Sequence, residues 1–205
     1  ALLISLFWWC GIHGATIIGG IMGPILQSNG LANQEVFNSG AKLVAGQNAA
    51  VVTNQFVDQF ITFGGSGLTL GLVCTMLYFS KSRQYKELGK LSIIPGLFNI
   101  NEPIIFGFPV VFNPIMAIPF ILAPVISAIM VYVSIATGIV EPFRAISVPW
   151  TTPFIISGFL IGGVKAAILQ IAVFSMTVAV YFPFFKYQDK LAYQEEQKIG
   201  TEATV

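Results

Sequence analysis

Between Lys90 and Glu141 the chain carries one charged side chain, Glu102. It stands in "LFNINEPIIFGFP", residues 97–109, between two asparagines and a proline in an otherwise apolar stretch. Prolines at 95, 103, 109 and 114 argue against one uninterrupted helix, because proline lacks an N–H and disfavours helix in the residue before it. The expected arrangement is a set of pieces each too short to cross a bilayer, with Glu102 at a break in the backbone. An ionised carboxylate buried alone costs many kcal/mol, so it must find partners or take up a proton.

That argument needs a membrane, and composition supplies it. Hydrophobic residues make up 55% of the 205-residue chain and charged residues 9%, with a mean hydropathy of +0.80. A soluble domain carries roughly 25% charged residues, so this chain cannot cover a water-facing surface. The fold class expected is an all-α integral membrane protein, with transmembrane helices, re-entrant hairpins and broken helices. A net charge of +1 and scattered basic residues give no basis for nucleic acid binding. Cys10 and Cys74 form no disulfide framework or zinc pattern, and with one histidine no metal site or cofactor is expected. No basic n-region precedes the apolar start "ALLISLFWWCGI", so a signal peptide does not fit and the sequence reads as part of something longer.

A membrane helix takes about 20 apolar residues. Three stretches qualify: Phe60 to Phe79, Ile115 to Val140, and Val164 to Phe185. Segment 1–26 is interrupted by glycines and Pro24 and reads as a helix end leading into a non-ideal, re-entrant element. Residues 27–58, rich in Asn and Gln, read as a partly wetted connection, and 141–158 as another broken stretch. Glycine pairs 19/23, 67/71 and 158/162 read as internal packing contacts more than as a dimer interface. Basic residues concentrate in "KSRQYKELGK" at 81–90 and in the polar tail 186–205. If residues 91–114 dip in and return, both clusters share one face, which the positive-inside rule makes cytoplasmic. Broken backbone at membrane depth is tolerable only where it is buried in protein or lines a cavity, as in transporters.

An acid at membrane depth is a functional-site hypothesis by default; the alternative is a carboxylate satisfied by its own turn. Asn99 and Asn101 add donors and acceptors at the same break. His13, in "FWWCGIHGATIIGG", fits equally a packed ring and a polar-ligand pocket. Trp150, in the broken "VPWTTP", reads as a platform for the apolar face of a sugar ring, although tryptophans also serve as interfacial anchors.

"LFNINEPIIFGFPVVFNPIMAIPFILAP", with "WWCGIHG" and "VPWTTP", resembles the membrane permease subunit, enzyme IIC, of bacterial sugar phosphotransferase systems, in the lactose, cellobiose and diacetylchitobiose family. The resemblance implies that residues 1–185 are the C-terminal, substrate-binding half of a two-part permease in the bacterial plasma membrane, one that homodimerises through its other half. It implies a β-linked disaccharide such as cellobiose, diacetylchitobiose or lactose as substrate, and a phosphorylated IIB subunit as partner and phosphoryl donor. Neither Cys10 nor Cys74 would then be the phosphocysteine, which belongs to IIB. Glu102 would lie beside the hydroxyl that receives phosphate, His13 in the opposing hairpin, and Trp150 against a sugar ring. Loop 81–90 would meet anionic lipid, or IIB. A proton-coupled secondary transporter with Glu102 as proton carrier is the main rival. An intramembrane hydrolase ranks last, for want of a serine elbow or metal motif.

Overall fold

The computed structural model describes residues 1–202. Among them the chain forms eight helices: α1 (Leu2–Trp9), α2 (Gly14–Asn38), α3 (Asn54–Phe60), α4 (Leu70–Phe79), α5 (Arg83–Leu97), α6 (Glu102–Gly107), α7 (Pro114–Ala136) and α8 (Ile156–Glu202). Helices α7 and α8 are long and apolar enough to cross a membrane. Exposed Ile21, Ile25, Leu91, Ile94, Ile129 and Ile168 leave apolar side chains around the outside, as a lipid-facing surface requires. α4 packs against α5 and α8, α7 against α8, and α1 against α7 and α2. The core they enclose is aromatic, with Phe60, Phe63, Phe108, Phe120, Phe143, Tyr181 and Phe185 fully buried.

Several expectations are corrected. Phe60 to Phe79 is not one span: α3 ends at Phe60 and α4 begins only at Leu70. Between them Gly64, Gly65, Gly67 and Leu68 adopt positive φ, which a helix cannot include. The loop survives in an apolar setting because side chains from the long helices meet its carbonyls. Ser127 Oγ donates to Phe60 O (2.6 Å) and Tyr181 OH to Gly67 O (2.7 Å).

The glycine-rich N-terminal region does end one helix, at Trp9, but the next element is a continuous 25-residue helix running through Pro24. Residues 27–38 therefore belong to α2 rather than to a wetted connection. Asn33 is fully buried, bonding Ala50 O (2.9 Å) and Phe143 O (2.8 Å) and accepting from Ala50 N (2.8 Å). The helix stays continuous although only Gly14, Gly30 and Asn33 are buried in it and glycine has a low helix propensity. The glycine pairs divide: a Cβ on Gly71 would meet Thr177 and one on Gly158 would meet Gln170, whereas Gly19 and Gly23 face open space.

Pro95 does not divide the chain either; α5 continues through it to Leu97, and the break falls at residues 98–101. α6 has six residues, about 9 Å of helix, far short of the roughly 30 Å hydrocarbon core.

The expected span 164–185 lies inside α8, which is interrupted at Gly162 and Gly163, the latter with φ +67° and ψ −159°. That backbone region is essentially reserved for glycine. Beyond Phe185 the polar tail continues as helix, while its last three residues, 203–205, lie outside the described residues. From Gly163 the helix extends about 60 Å, so part of it must project beyond a bilayer.

The projecting part is tied down. Buried Asp189 accepts from Ser80 Oγ (2.8 Å), Lys81 N (2.9 Å) and Ser82 N (3.0 Å). Two turns on, Glu196 accepts from Ser82 Oγ (2.7 Å), Arg83 N and Gln84 N (3.0 Å each). Ser82 is itself the N-cap of α5, accepting from Tyr85 N. Two carboxylates on one face of α8 thus satisfy the orphan amides at the start of α5. Those bonds hold Glu196 below the usual carboxylate range, the Ser82 hydroxyl being the largest cause.

Candidate functional site

Four breaks in the helical fabric meet around one cavity of about 360 Å³, inside the roughly 300–1,000 Å³ range of small-molecule clefts. The turn between α1 and α2 contributes Trp8 and His13. The glycine loop after α3 contributes Thr62, Gly65 and Ser66. The α5–α6 turn contributes Asn99, Asn101 and Glu102, and the proline-broken segment before α8 contributes Trp150. All five residues singled out in the sequence therefore lie on one wall system, although 137 positions separate His13 from Trp150 (150 − 13).

Their environments differ. Glu102 is the first residue of α6 and is exposed to the cavity. Its carboxylate makes no hydrogen bond or ion pair with any described residue, so it is not consumed by its own turn. His13 is the N-cap of α2: its Nδ1 accepts from Thr16 N (3.2 Å) and lies 2.7 Å from Thr16 Oγ1. A ring nitrogen that accepts from an amide carries no proton, so the neutral imidazole holds its hydrogen on Nε2. The ring packs on Trp8, with centroids 4.4 Å apart. Trp8 is buried, whereas the Trp150 side chain is 62% exposed.

Asn99 uses both ends of its side-chain amide on protein, and Asn101 uses its Nδ2. The Asn99 amide donates to Trp150 O and to Thr152 O (3.0 Å), and its oxygen accepts from Gly64 N. Asn101, buried, donates from Nδ2 to Ser66 O (2.7 Å) and Thr69 Oγ1 (3.1 Å). Both side chains stitch loops together, and Asn99 does so at φ +66°, a region asparagine tolerates better than most. Gly65 has φ +89°, and a Cβ there would lie 2.2 Å from the Asn101 side chain. The glycine admits the loop to this position.

Sequence reasoning assigned no site role to Asp58, Thr62 or Ser66, and treated Trp8 only alongside the other tryptophans. Asp58 was legible in principle, as an acid immediately ahead of an uncharged run. Thr62 and Ser66 carry no such signal. Asp58 also borders an adjoining apolar groove of about 520 Å³ between α1, α2, α3 and α7, walled by Ile4, Ile18, Met22 and Tyr132. The groove offers few partners for hydroxyl groups, so the smaller polar cavity is the candidate site. Among the described residues no group of His, Cys, Asp and Glu could hold a metal ion.

Residues 1–124 match the family described as Phosphotransferase system, EIIC. The chain belongs to that family. It is 49% identical over 96% of its length to the cellobiose-specific EIIC component of Geobacillus stearothermophilus, covering 43% of that protein. It is 43% identical over 95% of its length to the lichenan permease IIC component of Bacillus subtilis strain 168, covering 42%. It also superposes with a TM-score of 0.90 and 44% identity on the crystal structure of the transporter ChbC, the IIC component of the N,N'-diacetylchitobiose-specific phosphotransferase system. That likeness covers 96% of this chain and 45% of ChbC. This EIIC chain thus spans less than half the length of the relatives it matches, and it shares the all-helical fold of that membrane transporter, with α8 broken at Gly162 and Gly163.

Proposed function

We propose that this EIIC chain is the substrate-binding part of a membrane permease that takes up a β-linked disaccharide for phosphorylation by a IIB partner. The observation that carries the reading is the placement of Glu102: a carboxylate with no partner among the described residues, lining one cavity with His13, Trp8 and Trp150. Sugar hydroxyls supply the donors that the carboxylate lacks, the His13 Nε2–H donates to a sugar oxygen, and the indole faces cover the apolar faces of the rings. Asn99 and Asn101 act by holding the loops that carry these groups. Glu102 then either orients the hydroxyl that receives phosphate or takes its proton, which requires hydrogen-bond reach of that proton.

In this reading residues 91–114 form a re-entrant hairpin, the basic segment 81–90 and the α8 extension face the cytoplasm, and IIB approaches from that side. Lipid contacts the apolar exterior, and dimerisation uses the part of the permease outside this sequence. The relatives named for phosphotransferase systems support phosphorylation-linked uptake, and nothing supports proton-coupled secondary transport. The deciding experiment reconstitutes the full-length permease containing this chain in vesicles with phosphorylated IIB and labelled disaccharide. Glu102→Gln is expected to lower the rate of sugar phosphate formation by about 10²-fold or more; a normal rate would remove the carboxylate from the scheme.

A further inference from the structure

We propose that Asp58 is a second carboxylate of the sugar site, and that with Glu102 it makes the cavity discriminate uncharged sugar from phosphorylated sugar. The inference rests on the proposed sugar-permease function and deepens it. Asp58 lines the same cavity as Glu102, at the seam with the apolar groove. Like Glu102, it makes no side-chain hydrogen bond or ion pair with any described residue. No lysine or arginine lines the cavity; His13 is its remaining ionisable side chain, and its Nδ1 is occupied by the Thr16 amide.

The fold gives no reason for an acid at this position. Asp58 lies in the last turn of α3, where a negative charge opposes the helix dipole. The packing of α3 is done by Phe56, Gln59 and Phe60, while the Asp58 side chain stays exposed.

Carboxylates accept hydrogen bonds and donate none, so two of them around a polyhydroxylated ligand receive hydroxyl donors from either ring. Once a hydroxyl becomes a phosphate monoester carrying about −1.5 to −2 charges, the same wall repels it. Each unscreened like-charge pair at partly buried separations lowers affinity roughly tenfold. The site that admits the neutral sugar thereby expels its phosphorylated form, which gives uptake its direction at the release step.

The test uses the full-length permease in nanodiscs of uncharged lipid, with calorimetric titration of cellobiose, diacetylchitobiose and lactose and of the 6′-phosphate of whichever binds most tightly. Wild type is expected to bind the neutral sugar at least 100-fold more tightly than its phosphate. Asp58→Asn and Asp58→Ser are each expected to narrow that ratio at least tenfold, chiefly by strengthening phosphate binding, and Asp58→Glu to preserve it. Molar potassium chloride should narrow the wild-type ratio more than that of either neutral variant. Sugar binding by wild type together with ratios for both neutral variants within twofold of wild type would overturn the Asp58 assignment alone. Failure of wild type to bind any of the three disaccharides would overturn the functional reading and this inference together.

Discussion

The side-chain amide of Asn99 donates to the backbone carbonyl of Trp150, 51 residues along the chain. That bond, with those from Asn99 to Thr152 O and from Gly64 N to Asn99, joins three loops that share no secondary structure. The candidate site exists because those loops are held at one place, and Asn99, from one of them, is bonded to the other two.

Replacing Asn99 with alanine leaves the Gly64 amide without its acceptor and two carbonyls without their donor. Unmade bonds of partly buried groups cost about 1–3 kcal/mol each. The expected outcome is a lower melting temperature of the purified permease together with weaker sugar binding. Asn99→Asp should recover little, because the carboxylate restores the acceptor for Gly64 but puts an acceptor with no hydrogen to donate against the Trp150 and Thr152 carbonyl oxygens.

Gly65→Ala meets two obstacles at once, a positive φ and a Cβ placed 2.2 Å from the Asn101 side chain. An L residue in the left-handed region costs about 1–2 kcal/mol, and overpacking adds about 1–3 kcal/mol. Thermal melting should show a loss of that order, and cysteine accessibility introduced at position 66 should rise as the loop lifts away.

Asp189→Ala removes the acceptor for Ser80 Oγ, Lys81 N and Ser82 N from a buried position. With hydrogen bonds to charged groups contributing about 1.5–3 kcal/mol each, a loss on the order of 3 kcal/mol is expected. Hydrogen exchange should locate it, with faster exchange at residues 80–84 and along the start of α5 rather than in α7.

Glu196 supplies a pH prediction. Its carboxyl is held below the ordinary range by Ser82 Oγ and by the Gln84 and Arg83 amides, so its contribution is fully present above the unfolded pKa. It is lost as the pH falls through the lower folded value. Protection of the Arg83 and Gln84 amides should therefore weaken below about pH 4 and hold steady above it. Glu196→Gln should flatten that dependence; because Glu196 is largely solvent-accessible, the effect on global stability is small.

Glu102 was conspicuous in the sequence because a charge in a long apolar run has no ordinary explanation. Tryptophan, histidine and asparagine near backbone breaks were visible for the same reason: polar groups and breakers in a membrane sequence demand partners. The continuity of α2 and the failure of 60–79 to form one helix were not visible. In both, glycines mark the segment, yet α2 takes them up in helical conformation and the 60–79 stretch places them at positive φ. Asp58 was overlooked because the polar residues before it masked the signal of the uncharged run that follows.

Sequence by itself determined that this chain lives in a membrane, that its apolar runs are broken, and that Glu102 stands at a break, since hydrophobicity, charge and proline act locally. Only the tertiary structure decided that His13, Asp58, Glu102 and Trp150 surround one space, and that the two asparagines between them bond to protein. Loop-to-loop bonds across long separations set those placements, and no local propensity encodes which distant loop an amide will meet.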